Sequence, residues 1–349
     1  MEFIEQSGKP SAPLPTKSVV VGFENRMHWV IDKLTDNERS FQVIPIVGMG
    51  GIGKTTLAQS IYDHPGIQRR FDTQMWCTVS HIYSVKSILQ SFLGEEIFGD
   101  IPDMGQRLYQ TLHGRRYLIV MDDMWEVSAW ESLKLYLPDN QNGSRVIVTT
   151  RNKDVAESCG ESSCALSLLD HNTSWDLLRQ NVFGEGCSCP DKLNEIGKTI
   201  AEGCGGLPLS LATISGILSK SDMTPDYWNH VARNVKGIVS STEDEHCLKV
   251  LSLSYHFLPI HLKPCFLYLR KFREDQKIEA KFLIRKWIIE GFVTGKATED
   301  VAYDHLNDLV DRNLVLIHGR NYAGRIKLCG VHDLVRELCI RESSEVKFL

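Results

Sequence analysis

The chain has 349 residues and a mass of 39.6 kDa, enough for roughly two or three domains of ~100–200 residues each. Hydrophobic residues make up 42% and charged residues 24%, which matches folded globular chains and excludes the disordered and fibrous classes. Thirty-nine Lys and Arg against 44 Asp and Glu leave a net charge of −5. Nucleic acid is therefore not the default partner, because phosphate contacts demand a basic surface.

No apolar run reaches the ~18–20 residues of a membrane helix. The N-terminus (Met1, Glu2, Phe3, Ile4, Glu5) is acidic where a signal peptide would be basic. The expectation is a cytoplasmic protein with no membrane contact. The ten cysteines are scattered, and Cys77, Cys247, Cys265, Cys329 and Cys339 sit in apolar stretches, as reduced thiols do. Cys159, Cys164, Cys187 and Cys189 lack the paired spacing of a zinc ribbon and read as small apolar residues plus a loop.

Residues 1–18, rich in Pro, Ser and Lys, read as a linker, with structure expected from Val19. From there to Leu169, short apolar runs (Gln42 to Val47, Met75 to Val79, Tyr117 to Met121, Arg145 to Thr149, Ala165 to Leu168) alternate with helical patterns, the sequence form of βαβ units around a parallel sheet. Between 170 and 243 strands give way to helical periods at Thr173 to Phe183, Leu193 to Ala201, Leu207 to Leu218 and Tyr227 to Val235, a four-helix subdomain. From 244 to 349 further amphipathic helices (Cys247 to Phe257, Lys281 to Ile289, Tyr303 to Val310) precede two short runs, Leu314 to Ile317 and Arg325 to Cys329, which suggest a winged-helix unit with a two-stranded wing. The predicted fold is thus an α/β P-loop domain, a parallel sheet flanked by helices at 19–169, followed by the helical and winged-helix subdomains.

The strongest motif is Gly48-Met49-Gly50-Gly51-Ile52-Gly53-Lys54-Thr55-Thr56, between a predicted strand and a predicted helix. Glycines allow a tight turn that aims successive N–H groups at phosphate oxygens, and the following helix adds its positive dipole end. Lys54 can reach β- and γ-phosphates, and the Thr55 hydroxyl can ligate Mg²⁺. A second apolar run, Tyr117 to Met121, ends in Asp122-Asp123. Carboxylates released at the carboxyl end of a buried parallel strand arrive beside such a loop, where Asp122 would hold Mg²⁺ and Asp123 would orient or activate a water. Alone, strand-ending acids also make ordinary turns. The strand Arg145 to Thr149 leads to Arg151, whose forked donors could sense a γ-phosphate; the alternative is a surface arginine in a salt bridge.

The order of these motifs resembles the nucleotide-binding NB-ARC region of plant NLR immune receptors, relatives of the apoptosome-type STAND ATPases. The resemblance runs from Val19 to Leu338. It adds Gly143-Ser144-Arg145, Cys204-Gly205-Gly206-Leu207-Pro208-Leu209, Leu262 to Leu269, Trp287 to Phe292 and Val331-His332-Asp333. Trp125 after the paired acids is similar to the coiled-coil class of these receptors, and among them the chain looks most like the helper-type receptors of nightshade-family plants. The resemblance implies that Pro208 packs against adenine, that the backbone of an opening strand at Val20 and Val21 bonds the adenine edge, and that His332 donates to the β-phosphate of ADP. It implies ADP in the resting state, ATP with Mg²⁺ in the active state, and at most slow ATPase turnover. It also implies a monomer that oligomerises on activation, with sensor receptors and the receptor's own coiled-coil and leucine-rich-repeat regions as partners. Against the family pattern, Val331 replaces a methionine, Arg273 a proline in Phe272-Arg273-Glu274-Asp275, and Phe23 an arginine in the opening Gly-Arg-Glu.

The leading reading is therefore an ADP/ATP switch. One alternative is a conventional P-loop NTPase turning over on another substrate. The other is a winged-helix DNA-binding regulator, against which Glu290, Glu299, Asp300, Asp304, Asp308, Asp311, Asp333 and Glu337 oppose the scattered charge of Lys286, Arg312, Arg325, Lys327 and Arg336.

Overall fold

A computed structural model of the chain describes residues 21–79, 83–94, 99–238, 242–274, 276–295 and 298–346. It divides into two units. One takes Phe23–Met49 and Gly53–Ser167; the other takes Leu168 onward together with Val21, Gly22 and the short loop Gly50–Ile52.

The first unit contains strands β1 (Gln42–Val47), β2 (Thr73–Thr78), β3 (Tyr117–Asp122), β4 (Arg145–Thr150) and β5 (Cys164–Ala165). Its helices are α1 (Glu24–Thr35), α2 (Lys54–Tyr62), α3 (Pro65–Arg70), α4 (Val85–Leu93), α5 (Ile101–Leu112), α6 (Val127–Leu133) and α7 (Lys153–Cys159). The strands form one five-stranded sheet in the order β2-β3-β4-β1-β5, paired in parallel throughout. Every residue of β3 and β4 is buried. Tyr117, Ile119 and Met121 join a core with α4 to α7, while the intervening Leu118 and Val120 are equally inaccessible. Burial of both faces is why these strands read as continuous apolar runs without alternation.

Register brings the chemistry to one edge. Val47 pairs with Thr150 across β1 and β4, and Met121 with Val148 across β3 and β4. The phosphate loop, the Asp122-Asp123 turn and Arg151 consequently leave the sheet side by side, at the carboxyl ends where open α/β sheets bind their ligands. Arg145, fully buried at the start of β4, anchors the opposite end. Its guanidinium donates to the carbonyls of Lys33, Glu38, Ser40 and Ser144 and to Asp36 Oδ1 at 2.6 Å.

The second unit holds α8 (His171–Phe183), α9 (Asp191–Gly203), α10 (Pro208–Ser219), α11 (Pro225–Lys236), α12 (Glu243–His256) and α13 (Lys263–Tyr268). After them come β6 (Ile278–Glu279), α14 (Ala280–Ile289), α15 (Thr298–Asp311), β7 (Leu316–Arg320), β8 (Ile326–Gly330) and α16 (Asp333–Glu345). Leu177, Ile200, Leu211, Ile214, Trp228 and Val231 build a core shared by α8 to α11. Helix α10 also meets the turn after α15: a Cβ on Gly216 would lie 2.4 Å from the Arg312 carbonyl, and Asn313 Nδ2 donates to the Ala212 carbonyl at 2.7 Å.

Several expectations change. The wing sheet has three strands, in the order β6-β8-β7; a two-residue strand carries no readable period. The run expected at Ala165 to Leu168 forms a strand only at Cys164–Ala165. Val21 lies in no strand, and its side chain packs on the helical core with Leu169; Val20 falls outside the described residues. Helix α1 is an addition to the expected elements, although Met27, Val30, Ile31 and Leu34 stand at helical spacing; of these Val30 and Leu34 are buried. All ten cysteines are free thiols, and Cys187 and Cys189 alone are not buried. Among the described residues no helix is long and apolar enough to cross a membrane.

Candidate functional site

The loop from Gly48 joins β1 to α2, and glycine is required at its turns: φ is +74° at Gly51 and +100° at Gly53. Gly53 is the N-cap of α2 and supplies no side-chain cap, so the first-turn N–H groups of this nine-residue helix have no side chain capping them. Lys54 is 6% exposed, and its Nζ donates to the carbonyls of Gly48 at 2.8 Å and Met49 at 2.9 Å. The Phe23 ring packs onto the same loop, where a Cβ on Gly53 would stand 2.5 Å from Phe23 Cζ. The apolar residue in place of an arginine is thus buried against the phosphate loop.

Asp122 is the electrostatic centre of the site. One carboxylate oxygen, Oδ1, accepts from Thr55 Oγ1 at 3.0 Å and from Thr149 Oγ1 at 2.6 Å. Burial pushes its pKa up to about 6, although the two threonine bonds and Lys54 favour the charged form and Asp123 opposes it. Asp123 adopts a left-handed φ of +57°, and its N–H donates to Thr149 Oγ1 at 2.8 Å. Thr150 Oγ1 donates to the Met124 carbonyl at 2.6 Å. Arg151 lies over the Trp125 ring at 4.9 Å, with Nε 3.8 Å from Asp123 Oδ1.

The structure therefore brings together Gly48, Gly53, Lys54, Thr55, Asp122, Asp123 and Arg151, with Thr56 in the first turn of α2. The donor set fits a phosphate chain with a hard cation: uncapped helix N–H groups and a lysine for the anion, and a hydroxyl and a carboxylate oxygen 3.0 Å apart for Mg²⁺.

In the second unit, Gly50 and Ile52 are buried, and the Leu209 N–H donates to the Gly51 carbonyl at 3.2 Å. A Cβ on Gly51 would meet Leu209 Cβ at 2.8 Å. Pro208 opens α10 at a position whose missing N–H costs nothing. Before it, Gly205 and Gly206 take φ of +66° and +73°, and the Leu169 N–H donates to the Gly206 carbonyl at 2.9 Å. His332 is the N-cap of α16, its Nδ1 accepting from the Leu334 N–H at 3.2 Å. Asp333 sits one residue inside this helix and contacts the His332 ring.

Thr149 and Phe23 were not assigned roles from the sequence. The only signals were a hydroxyl in an otherwise apolar strand and a departure from the family pattern, and neither says what the side chain meets.

Residues 23–187 match the NB-ARC domain family, and residues 272–339 match the disease resistance protein winged helix domain. The chain is similar to a late blight resistance protein homolog of Solanum demissum, at 40% identity over 346 residues, covering 95% of this chain and 26% of that protein. It is likewise similar to late blight resistance protein R1-A of the same species, at 38% identity over 343 residues, covering 95% and 26%. The chain spans about a quarter of the length of these relatives. Among solved structures it is similar in fold to a Signal Transduction ATPase with Numerous Domains (STAND) protein with a tetratricopeptide repeat sensor from Pyrococcus horikoshii. That match has a TM-score of 0.57 at 18% identity, covering 94% of this chain and 43% of the other.

Proposed function

From a chain that carries an NB-ARC domain, a nucleotide-binding P-loop domain, and a disease resistance protein winged helix domain, we propose the nucleotide switch of a plant intracellular immune receptor. ADP holds a closed, inactive state. Exchange for ATP permits opening and oligomerisation, leading to defence signalling and hypersensitive cell death. The three working parts are 19–169, 170–243 and 244–349. A helper-type role in the cytoplasm, downstream of sensor receptors and within a longer chain bearing coiled-coil and leucine-rich-repeat regions, is the finer part of the same proposal.

The observation that carries the reading is the hydrogen bond from Leu209 to Gly51. Within the second unit the Gly50–Ile52 tip is held by the first turn of α10, which supports a link between what that tip binds and the helical part. A nucleotide can move such an equilibrium only by its differential affinity for the two states.

In this proposal the backbone of Gly48, Gly50, Gly51, Ile52, Gly53 and Thr56 cradles phosphates, Lys54 neutralises them, and Thr55 and Asp122 hold Mg²⁺. Asp123 orients water, and Arg151 reads the γ-phosphate. Pro208 and the Val20–Val21 backbone receive adenine, and His332 donates to the β-phosphate. Bound Mg²⁺ would supply charge neutralisation at the terminal phosphates.

The test is to denature freshly purified protein, identify the released nucleotide by chromatography, and compare melting with and without added ADP. Released ADP and a higher melting temperature with ADP are expected; at a thousandfold excess over the dissociation constant the linkage is about 4 kcal/mol. No released nucleotide together with no ADP-dependent stabilisation would remove the closed-switch reading and favour a turnover enzyme.

A further inference from the structure

The amino ends of the strands, opposite the phosphate loop, gather arginines. Thr73 at the start of β2 pairs with Tyr117 at the start of β3, and Leu118 pairs with Arg145 at the start of β4. Arg70 at the end of α3 and Arg116 just before β3 thus share one edge with Arg145. All three close on the turn that follows α1. Arg145 Nη2 donates to Asp36 Oδ1 at 2.6 Å and to the Glu38 carbonyl at 2.9 Å, while Arg70 Nη2 donates to the Asp36 carbonyl at 2.6 Å. Arg116 approaches the same turn across Gly143, where a Cβ would stand 3.2 Å from the Glu38 carbonyl oxygen and 3.7 Å from Arg116 Nε and Nη2.

The charges at this edge do not balance. Arg145 spends its guanidinium on Asp36 and on four carbonyls. Among the described residues, Asp36 is the one carboxylate that any of the three guanidiniums bonds. Asp72 lies close, but it accepts from the main-chain N–H of Arg116 at 2.8 Å. Arg70 and Arg116 are half-buried, and each gives its guanidinium to a carbonyl, that of Asp36 and that of Asn142. Arg70 Nε is buried without a hydrogen-bond partner. Burial, and then the charges of Arg116 and Arg145, push the Arg70 pKa down against the pull of Asp36. A half-buried guanidinium beside like charge gains from an anion that takes its remaining in-plane donors.

We propose that Arg70 and Arg116 form a second anion site, at the amino edge of the sheet, that takes a phosphate dianion. Three guanidinium charges against the Asp36 carboxylate leave an excess of two, the charge of that ligand. A tetrahedral phosphate offers oxygens to two forks that lie in different planes, which a flat carboxylate does not. Arg145 holds Asp36 and supplies positive field, while Arg70 and Arg116 supply donors; Arg69 and Arg115, both exposed, add charge at the rim. The ligand is free phosphate or a small phosphate monoester. No residue of this site belongs to the phosphate loop, so the proposal stands apart from the nucleotide switch.

The experiment is a calorimetric titration of the full chain with sodium phosphate, against sodium chloride of equal ionic strength, at about pH 7.5, where a phosphate monoester is mostly dianionic. Phosphate can also enter the loop at Lys54, so the parent is compared with Lys54→Ala as well as with Arg70→Lys and Arg116→Gln. A saturable binding event is expected that Lys54→Ala leaves intact and that each arginine variant weakens at least about tenfold. Urea midpoints in chloride report whether the variants fold, and Arg70→Lys keeps the charge while losing the fork. If binding persists in both arginine variants and vanishes in Lys54→Ala, phosphate occupies the loop and the second site is overturned. If the parent responds to phosphate no more than to chloride, the arginines serve the fold alone and the inference fails. Glycerol 2-phosphate binding as tightly as phosphate would support the site with a phosphorylated small molecule as its ligand; phosphate binding alone would support it with the free ion.

Discussion

Phe23 closes the phosphate loop from outside: its ring lies so near Gly53 that a Cβ there would stand 2.5 Å from Cζ. Gly53 also has φ of +100°, so an L side chain meets two separate obstacles. Gly53→Ala should cost ~1–3 kcal/mol for the backbone conformation and a similar ~1–3 kcal/mol for overpacking. Phe23→Ala in the same chain should return only the second part. Urea unfolding of the three variants measures this, and a Gly53→Ala protein as stable as the parent would show that the ring does not press on the loop.

Lys54 bonds two carbonyls of its own loop through one compact ammonium and is almost wholly enclosed. Lys54→Arg keeps the charge but brings a planar fork into that space. ADP binding should fall at least about a hundredfold, equal to ~2.7 kcal/mol, with the far-ultraviolet circular dichroism unchanged. Calorimetric titration that finds parental affinity would dismiss the cradle.

Thr149 is fully buried and serves both neighbours, donating to Asp122 and accepting from the Asp123 N–H. Thr149→Val preserves the shape and removes both bonds. The orphaned Asp123 N–H costs ~1–3 kcal/mol and the lost bond to Asp122, which keeps its bond from Thr55, about 1 kcal/mol more, so a loss of about 2–4 kcal/mol is expected in chemical denaturation, with Thr149→Ser recovering most of it. The Asp122 carboxyl, already pushed up to about 6, should rise further. An unaffected midpoint in Thr149→Val would mean that the hydroxyl bonds are dispensable.

His318 on β7 gives the winged-helix part a pH dependence. Burial, and then the charge of Lys277, push its pKa down to about 4 from 6.5; its Nδ1 is buried without a hydrogen-bond partner. The folded state therefore prefers the neutral ring. This stability is complete well above pH 6.5 and is lost as pH falls from there toward 4. Between pH 7.5 and 5.5 the loss should be about 1.4 kcal/mol, read as a shift in urea midpoint. His318→Leu should flatten this part of the profile, and an equal slope in both proteins would assign the pH dependence elsewhere.

The linear order of residues was enough to determine the strand–loop–helix around Lys54, the acids that end β3 and the arginine that follows β4. Each is a contiguous run whose apolar or glycine pattern states its own local conformation. Sequence order also separated a sheet-forming half from a helical one, because the change of period needs no knowledge of partners. Which side chains meet at the sheet edge was decided elsewhere. Thr149 reaches Asp122, and Arg151 reaches Trp125, only because β4 lies beside β3 in parallel register. That neighbour relation comes from burying both faces of a five-stranded sheet, which is a property of the whole unit. The same holds for Phe23 on Gly53, for His332 as the cap of α16, and for β6, which is too short to show a period and exists by pairing with β8. A local pattern specifies what a segment can become; contacts between distant segments follow from the packing that places those segments together.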